Sequence, residues 1–225
     1  MFYSFVVTGI VGVILLAFCE LLIHLKVVKG EFARKFVHIV IALFAATWAY
    51  YLSSTVIVFI SLILVCIVIL VKRYKLLQSF RAVNRVTYGE IWFPLGIGVS
   101  AIMFLNPDVY AVAILHMGLA DGMAAVIGVY LGKRAGQFKI RGSIKSIAGT
   151  STFIAVSFGI YLAFWTKADS LEIFSQSLPL AVIISLSSAI LVATVEVLAP
   201  KGSDNIAVPV VAGVLAVLPS LQIIL

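Results

Sequence analysis

Charge is scarce in this chain. Only 11% of its 225 residues are Asp, Glu, Lys or Arg, and nine are acidic, well short of the roughly 25% charged residues of a soluble domain. Cysteine is nearly absent as well. Cys19 and Cys66 both sit in apolar runs, so neither a disulfide framework nor a paired-cysteine metal site is indicated. There is no internal repeat and no low-complexity stretch. No Lys or Arg precedes the first apolar run, MFYSFVVTGIVGVILLAFCE. It therefore lacks the basic leading segment of a cleaved signal peptide and reads as a permanent first span.

What the chain has instead is apolar length. Hydrophobic residues make up 63% of it, more than a soluble domain can hide from water. Apolar runs fall near 2–25, 36–52, 54–71, 89–106, 109–131, 147–165, 178–198 and 206–224. A span takes about 20 residues, so eight spans use roughly 160 positions. The expectation is an all-α, polytopic transmembrane bundle of about eight spans, forming one integral membrane domain over residues 1–225. Spans two and three meet at Ser53 and Ser54 with almost no loop, and Pro209 and Pro219 interrupt the last.

The net charge of +7 has a topological reading rather than a nucleic-acid one. Fifteen of the sixteen basic residues fall in the odd-numbered connections, and only Lys167 lies on the other side. By the positive-inside rule the odd connections are cytoplasmic and both termini lie outside. Leu76, Leu77, Phe80 and Val83 recur at helical spacing among the five basic residues of 72–88, a pattern that fits either an interfacial helix on anionic lipid or an ordinary basic loop.

An ionisable residue at membrane depth is costly and calls for a partner or a purpose. Four clusters meet that description. Glu31, Arg34, Lys35 and His38 fall at i, i+3, i+4 and i+7, on one face of the helix entering span two; they suit a phosphate chain, and equally a basic flank with a helix ion pair. Asp121 lies inside span five, among Gly118, Gly122, Ala124, Ala125, Gly128 and Gly132. This small-residue face lets a helix or ligand approach the backbone closely, and the Asp reads as a metal or substrate site. His116, five residues earlier, points elsewhere. In RGSIKSIAGT, 141–150, Lys145 and Ser146 precede a small-residue helix start that includes Gly149 and Thr150, where backbone N–H groups favour phosphate; taken alone, the stretch reads first as an ordinary basic loop. In EVLAPKGSDNIAVPV, 196–210, Glu196, Asp204 and Asn205 around the Gly202 turn offer hard oxygen ligands suited to Mg²⁺. All four clusters lie on or just within one membrane face, the cytoplasmic one.

In this order the clusters resemble the CTP-dependent lipid-alcohol kinases: dolichol kinase, phytol kinase and the CTP-using diacylglycerol kinase. The matching motifs are E-x-x-R-K-x-x-H at 31–38, A-D-G-x-A-A-x-x-G-x-x-x-G-K at 120–133, K-S-x-A-G-T at 145–150, and Glu196 followed by K-G-S-D-N-x-x-x-P up to Pro209. TYGEIWFPLG at 87–96 is a looser match. The resemblance implies transfer of the γ-phosphoryl of CTP to a lipid hydroxyl, with a divalent cation. Asp121 and Asp204 would hold Mg²⁺, supported by Asn205 and Glu196. Arg34, Lys35, Lys133 and Lys145 would hold the triphosphate, with Ser146, Gly149 and Thr150 beside it, and Asp121 or His38 would receive the hydroxyl proton. Glu31, Gly122, Gly128 and Gly202 complete the polar site.

Two other functions stand against this one. A phosphatidate cytidylyltransferase shares the Asp-Gly and Lys-Ser segments, but its long C-terminal signature is reduced here to KGSDN. A transporter built on Asp121 lacks the related halves common in such proteins. Size and the lack of a transit segment point to a prokaryotic cell membrane. The expected partners are CTP, the lipid alcohol and surrounding lipid, with no nucleic acid. Which alcohol is accepted is not encoded in any motif.

Overall fold

The structure, a computed structural model, describes residues 2–74, 89–141, 143–167, 177–200 and 202–221. Most of the basic stretch 72–88 and Lys201 therefore lie outside the described residues, as does the side chain of Lys133.

Each apolar run is helical. In chain order the elements are α1 (Phe2–His24), α2 (Gly30–Ala46), α3 (Ser54–Tyr74), α4 (Gly89–Met103), α5 (Pro107–Leu115), a single π turn (His116–Ala120) and α6 (Asp121–Ala135). Next come β1 (Gln137–Ile140), β2 (Ser143–Ser146), α7 (Ile147–Lys167), α8 (Leu178–Leu198) and α9 (Asp204–Leu221). Segment α5, the π turn and most of α6 form one stretch, Pro107–Gly132, and among the described residues six stretches are long and apolar enough to cross a membrane. The α4 and α9 helices are shorter apolar segments. The eight expected spans are thus present as helices in an all-α bundle.

Helix ends follow local chemistry. Asn106 caps α5, its Oδ1 accepting the N–H groups of Asp108 at 2.9 Å and Val109 at 3.3 Å, and Pro107 fills the first position, where no N–H is needed. Between α1 and α2 the chain reverses through Lys26 and Gly30, both at positive φ. The α2 helix begins at Gly30, so the apolar run from 36 is entered through the helical turns expected to carry Glu31, Arg34 and Lys35. Its first turns are polar because they face partners inside the protein, and hydropathy registers only the apolar stretch that follows. A short 3-10 turn, Trp48–Tyr50, precedes Ser54 where almost no loop was expected.

Pro209 does not interrupt the last span. It is fully buried in a continuous α9. The Asn205 carbonyl, which Pro209 has no N–H to satisfy, lies against Gly96 of α4, so closely that a Cβ there would overlap it. Pro94 lies inside α4, and its own carbonyl accepts the Ser61 hydroxyl of α3 at 2.6 Å.

The core lies where α2 crosses α5, the π turn and α6, with α7, α8 and α9 around it. Small residues, among them Ala42, Ala45, Ala113, Ala120, Ala189 and Ala212, are buried there. They allow close backbone approach where no aqueous hydrophobic effect drives helices together. Trp165, Tyr110, Tyr161 and Phe153 fill the remaining volume. The α1 helix is peripheral. Ile10, Val13, Ile14 and Phe18 are exposed, and its last turn packs through Leu22 and Ile23 on Val28, Ala33 and Phe36.

The hairpin β1–β2 was not expected. Its strands pair antiparallel from Gln137 opposite Ser146 to Ile140 opposite Ser143, across residues 141–142. Four-residue strands are too short to register as alternation in a basic loop.

Candidate functional site

The site is built from the π turn outward. There the N–H of Asp121 reaches back to the carbonyl of His116. Such an extra-residue turn re-aims the side chains that follow and is frequent at functional sites. It delivers Asp121, buried, at the first position of α6. Gly118 and Gly122 lie under α2, where added Cβ atoms would overlap Ala42 and Ile39 respectively. This close approach brings two side chains of α2 to Asp121. Lys35 Nζ stands 2.5 Å from Asp121 Oδ2. His38 Nε2 is 3.1 Å from the Met117 carbonyl and 3.9 Å from Asp121 Oδ2, and its ring lies 4.1 Å from that of Phe93.

The second wall comes from the hairpin. Lys145 on β2 reaches the C-terminal end of α8, where it pairs with the Glu196 carboxylate and donates to the Glu196 carbonyl at 3.2 Å. Arg141 donates to the Leu198 carbonyl at 3.3 Å. Carbonyls in the last turn of a helix lack intrahelical partners, and cations are favoured beside them. Burial alone would lower the Lys145 pKa, but the adjacent Glu196 carboxylate outweighs it and holds the ammonium above its ordinary value. Lys145 therefore stays charged through neutral and mildly alkaline pH. Its pairing contributes stability that is complete below the unfolded-state pKa and is lost only as pH rises through the higher folded one. Gly128 and Gly132 of α6 leave room for Ser146. The Ser146 hydroxyl accepts the Gly149 N–H at 3.1 Å and so caps α7. Thr150 is half-buried one residue further on.

The third wall is the turn into α9. Gly202 takes φ +91°, a conformation open to glycine, and Asn205 N–H bonds to its carbonyl at 3.2 Å. Asp204 then opens α9. Asn205 donates through Nδ2 to the Gly89 carbonyl at 3.0 Å, while its buried Oδ1 has no hydrogen-bond partner among the described residues.

The three walls meet. One carboxylate oxygen each from Asp121, Glu196 and Asp204 lies within 4.8 Å of the other two. Among the described residues, three buried or half-buried carboxylates against the ammonium groups of Lys35 and Lys145 leave one negative charge in excess. An excess of buried negative charge, in hard oxygen donors with an unpartnered amide oxygen beside them, fits a divalent cation such as Mg²⁺.

Beside this cluster opens a cavity of about 390 Å³ between α1, α2, α3 and α4. Its lining is apolar apart from Arg34, His38 and Glu90 at one end and Thr8 of α1.

The expected residues fall into groups. Asp121, Glu196, Asp204, Lys35, Lys145 and His38 converge. Glu31 and Arg34 do not join the carboxylates; they pair with each other, and Arg34 faces the cavity, so the polar stripe on α2 divides between two surfaces. Ser146 and Gly149 form a helix cap, and Gly202 a turn. His116 is indeed apart, bonded through Nδ1 to the Val112 carbonyl at 2.8 Å and lying against Tyr161. Sequence reading passed over Glu90, 3.0 Å from Lys72 at the cavity mouth, and Phe93. The signal for Glu90 was available, since it is one of only nine acids and opens an apolar run.

In comparison with known proteins, the chain is similar to the phytol kinase of Synechocystis sp., 28% identical over 203 residues that cover 88% of this chain and 83% of that protein. No family model matches the chain, and no solved structure matches it.

Proposed function

We propose that this protein is a membrane-embedded kinase that transfers the γ-phosphoryl group of CTP to the hydroxyl of a lipid alcohol. The observation that carries the reading is the convergence of Asp121, Glu196 and Asp204, from three helices, within 4.8 Å at the polar end of an apolar cleft. Similarity to a phytol kinase along most of the chain supports the acceptor class, and the motif order supports CTP. The concentration of basic residues in the odd-numbered connections supports a cytoplasmic site with both termini outside.

Phosphoryl transfer asks a protein for in-line positioning and charge neutralisation more than for covalent chemistry. Asp121, Asp204 and Glu196 are the residues that would hold Mg²⁺, with Asn205 beside them. When bound, the cation neutralises charge developing on the phosphoryl oxygens. Lys35 and Lys145, now engaged with Asp121 and Glu196, turn part of their charge to the incoming triphosphate, and Arg34 stands at the cleft mouth to receive it.

His38 is the base we favour for the hydroxyl proton. Its Nε2–H donates to the Met117 carbonyl, a hydrogen bond that leaves Nδ1 as the proton acceptor. The alcohol O–H bond breaks toward that nitrogen as the alcohol oxygen bonds to the γ-phosphorus. The bond from that phosphorus to the bridging oxygen breaks, and CDP leaves with the electron pair.

Purified protein given lipid alcohols or phosphatidate, with CTP labelled at the α or the γ phosphorus, tests the reading. Label from γ in the lipid is expected. Label from α alone means a cytidylyltransferase and overturns the proposal, as does the absence of both from folded protein. The cation has its own readout: Mn²⁺ bound to the protein, followed by electron paramagnetic resonance, is expected to weaken at least tenfold in Asp204→Asn. Unchanged affinity removes Asp204 from the metal site.

A further inference from the structure

Resting on that reading, we propose that the cleft between α1, α2, α3 and α4 seats the hydrocarbon chain of the lipid alcohol as one extended tail. In this arrangement the depth of the cleft below His38 sets the chain length the enzyme prefers.

The polar groups mark one end. Arg34, His38 and Glu90 line the cleft there, and His38 Nε2 is 3.9 Å from Asp121, so a hydroxyl at this level reaches the carboxylate cluster. The apolar groups mark the other. Trp48, Phe44 and Phe5 line the deep end, where the Phe44 and Trp48 rings meet edge-on with centroids 5.6 Å apart. Phe5 meets Phe59 of α3 at 6.1 Å, and Thr8 hydrogen-bonds across to Tyr51 at 3.5 Å. Aromatic contacts therefore close the floor, and its distance from the site follows from helix geometry. At 1.5 Å of rise per residue, Trp48 lies about 15 Å below His38 and about 21 Å below Arg34. A zigzag of C–C bonds of about 1.5 Å advances ~1.25 Å per carbon, so the cleft takes an extended chain of about 12 to 17 carbons.

The occupant is a membrane lipid rather than a soluble ligand because of where the cleft opens. Val13 lines it and is 68% exposed, and Ile67 lines it at 44%; both belong to the membrane-crossing segments α1 and α3. A tail can therefore enter sideways from the bilayer while its hydroxyl stays at the polar end. A much longer polyprenol has to leave through the same side opening, and a two-tailed glycerolipid has to leave one tail outside.

Two glycines of α1 make the depth testable. Gly9 and Gly12 line the cleft. A Cβ added at Gly9 meets nothing within 4 Å, and one at Gly12 comes to an ordinary 3.7 Å from Phe44. The Gly12→Phe and Gly9→Phe variants thus place bulk in the deep half from positions where the Cβ itself meets no clash, and a melting temperature near that of the wild type checks that each is folded. Initial rates with CTP are compared across geraniol, farnesol and geranylgeraniol, of two, three and four isoprene units. In Gly12→Phe the ratio of kcat/KM for geranylgeraniol to that for geraniol is expected to fall at least tenfold, and in Gly9→Phe, nearer the floor, by less. An unchanged ratio in both variants overturns the proposal.

A geranylgeraniol carrying a diazirine at its far end separates this inference from the kinase reading. Photolysis with wild-type protein is expected to label the peptides holding Phe5 or Trp48. Labelling there without any phosphoryl transfer keeps the seat and removes the kinase. Transfer with labelling confined to other helices keeps the kinase and removes the seat.

Discussion

Asp121→Asn is expected to reduce phosphoryl transfer by at least about a thousandfold, the scale of losing a group that organises charge in the transition state. The substitution keeps the shape of the side chain and removes its charge. It also removes the ion-pair partner of Lys35, whose side chain is 9% exposed. Breaking one side of a buried ion pair costs about 3–5 kcal/mol, so low activity alone would be ambiguous. The double variant Lys35→Met, Asp121→Asn removes the stranded charge as well and should recover most of the thermal stability in detergent. Activity should not return with it. A stable double variant that turns over near the wild-type rate would remove Asp121 from the chemistry, whereas stability and inactivity together assign the chemistry to the Lys35–Asp121 pair.

The second large effect is expected at a residue with no side chain. Gly118→Ala adds one methyl group where α2 crosses the π turn, and that methyl would overlap the Cβ of Ala42. Neither backbone can yield easily, because both are held in the buried core. Overpacking of this kind costs about 1–3 kcal/mol, and the upper end is expected here. Activity should fall further than stability, since moving α2 away carries Lys35 and His38 from Asp121. Gly159→Ala on α7 is the control. Nothing lies within 4 Å of its added Cβ, and alanine is the better helix former, so its melting temperature should be unchanged or higher. Equal behaviour of the two variants would show that the α2 contact does not position the site.

Much of the bundle was legible before any coordinates. Apolar runs long enough to span a bilayer leave the chain few alternatives, because lipid offers no partner for an unpaired backbone N–H or carbonyl and helices satisfy both internally. The candidate polar residues stood out for a related reason. Asp121 and Glu196 are conspicuous in apolar surroundings because a charge there is costly. Where the reading fell short, short-range features were responsible. The hairpin at 137–146 is too brief for periodicity to reveal, and Pro209 looks like a helix breaker until Gly96 is seen to leave space for the carbonyl it strands.

By itself, then, the sequence determined that this is an all-helical membrane bundle, and which acids and bases are costly enough to need a purpose. Tertiary structure decided which of them meet. Asp121 lies 75 residues before Glu196 and 83 before Asp204, and no spacing rule links such distances. Whether they share one pocket depends on how closely helices can approach, and glycines set that approach at Gly118 and Gly122. The same packing parted Arg34 from Lys35, neighbours in the chain, and turned Arg34 to a cleft that no motif announces, because a cavity is made by what its surrounding helices leave unfilled.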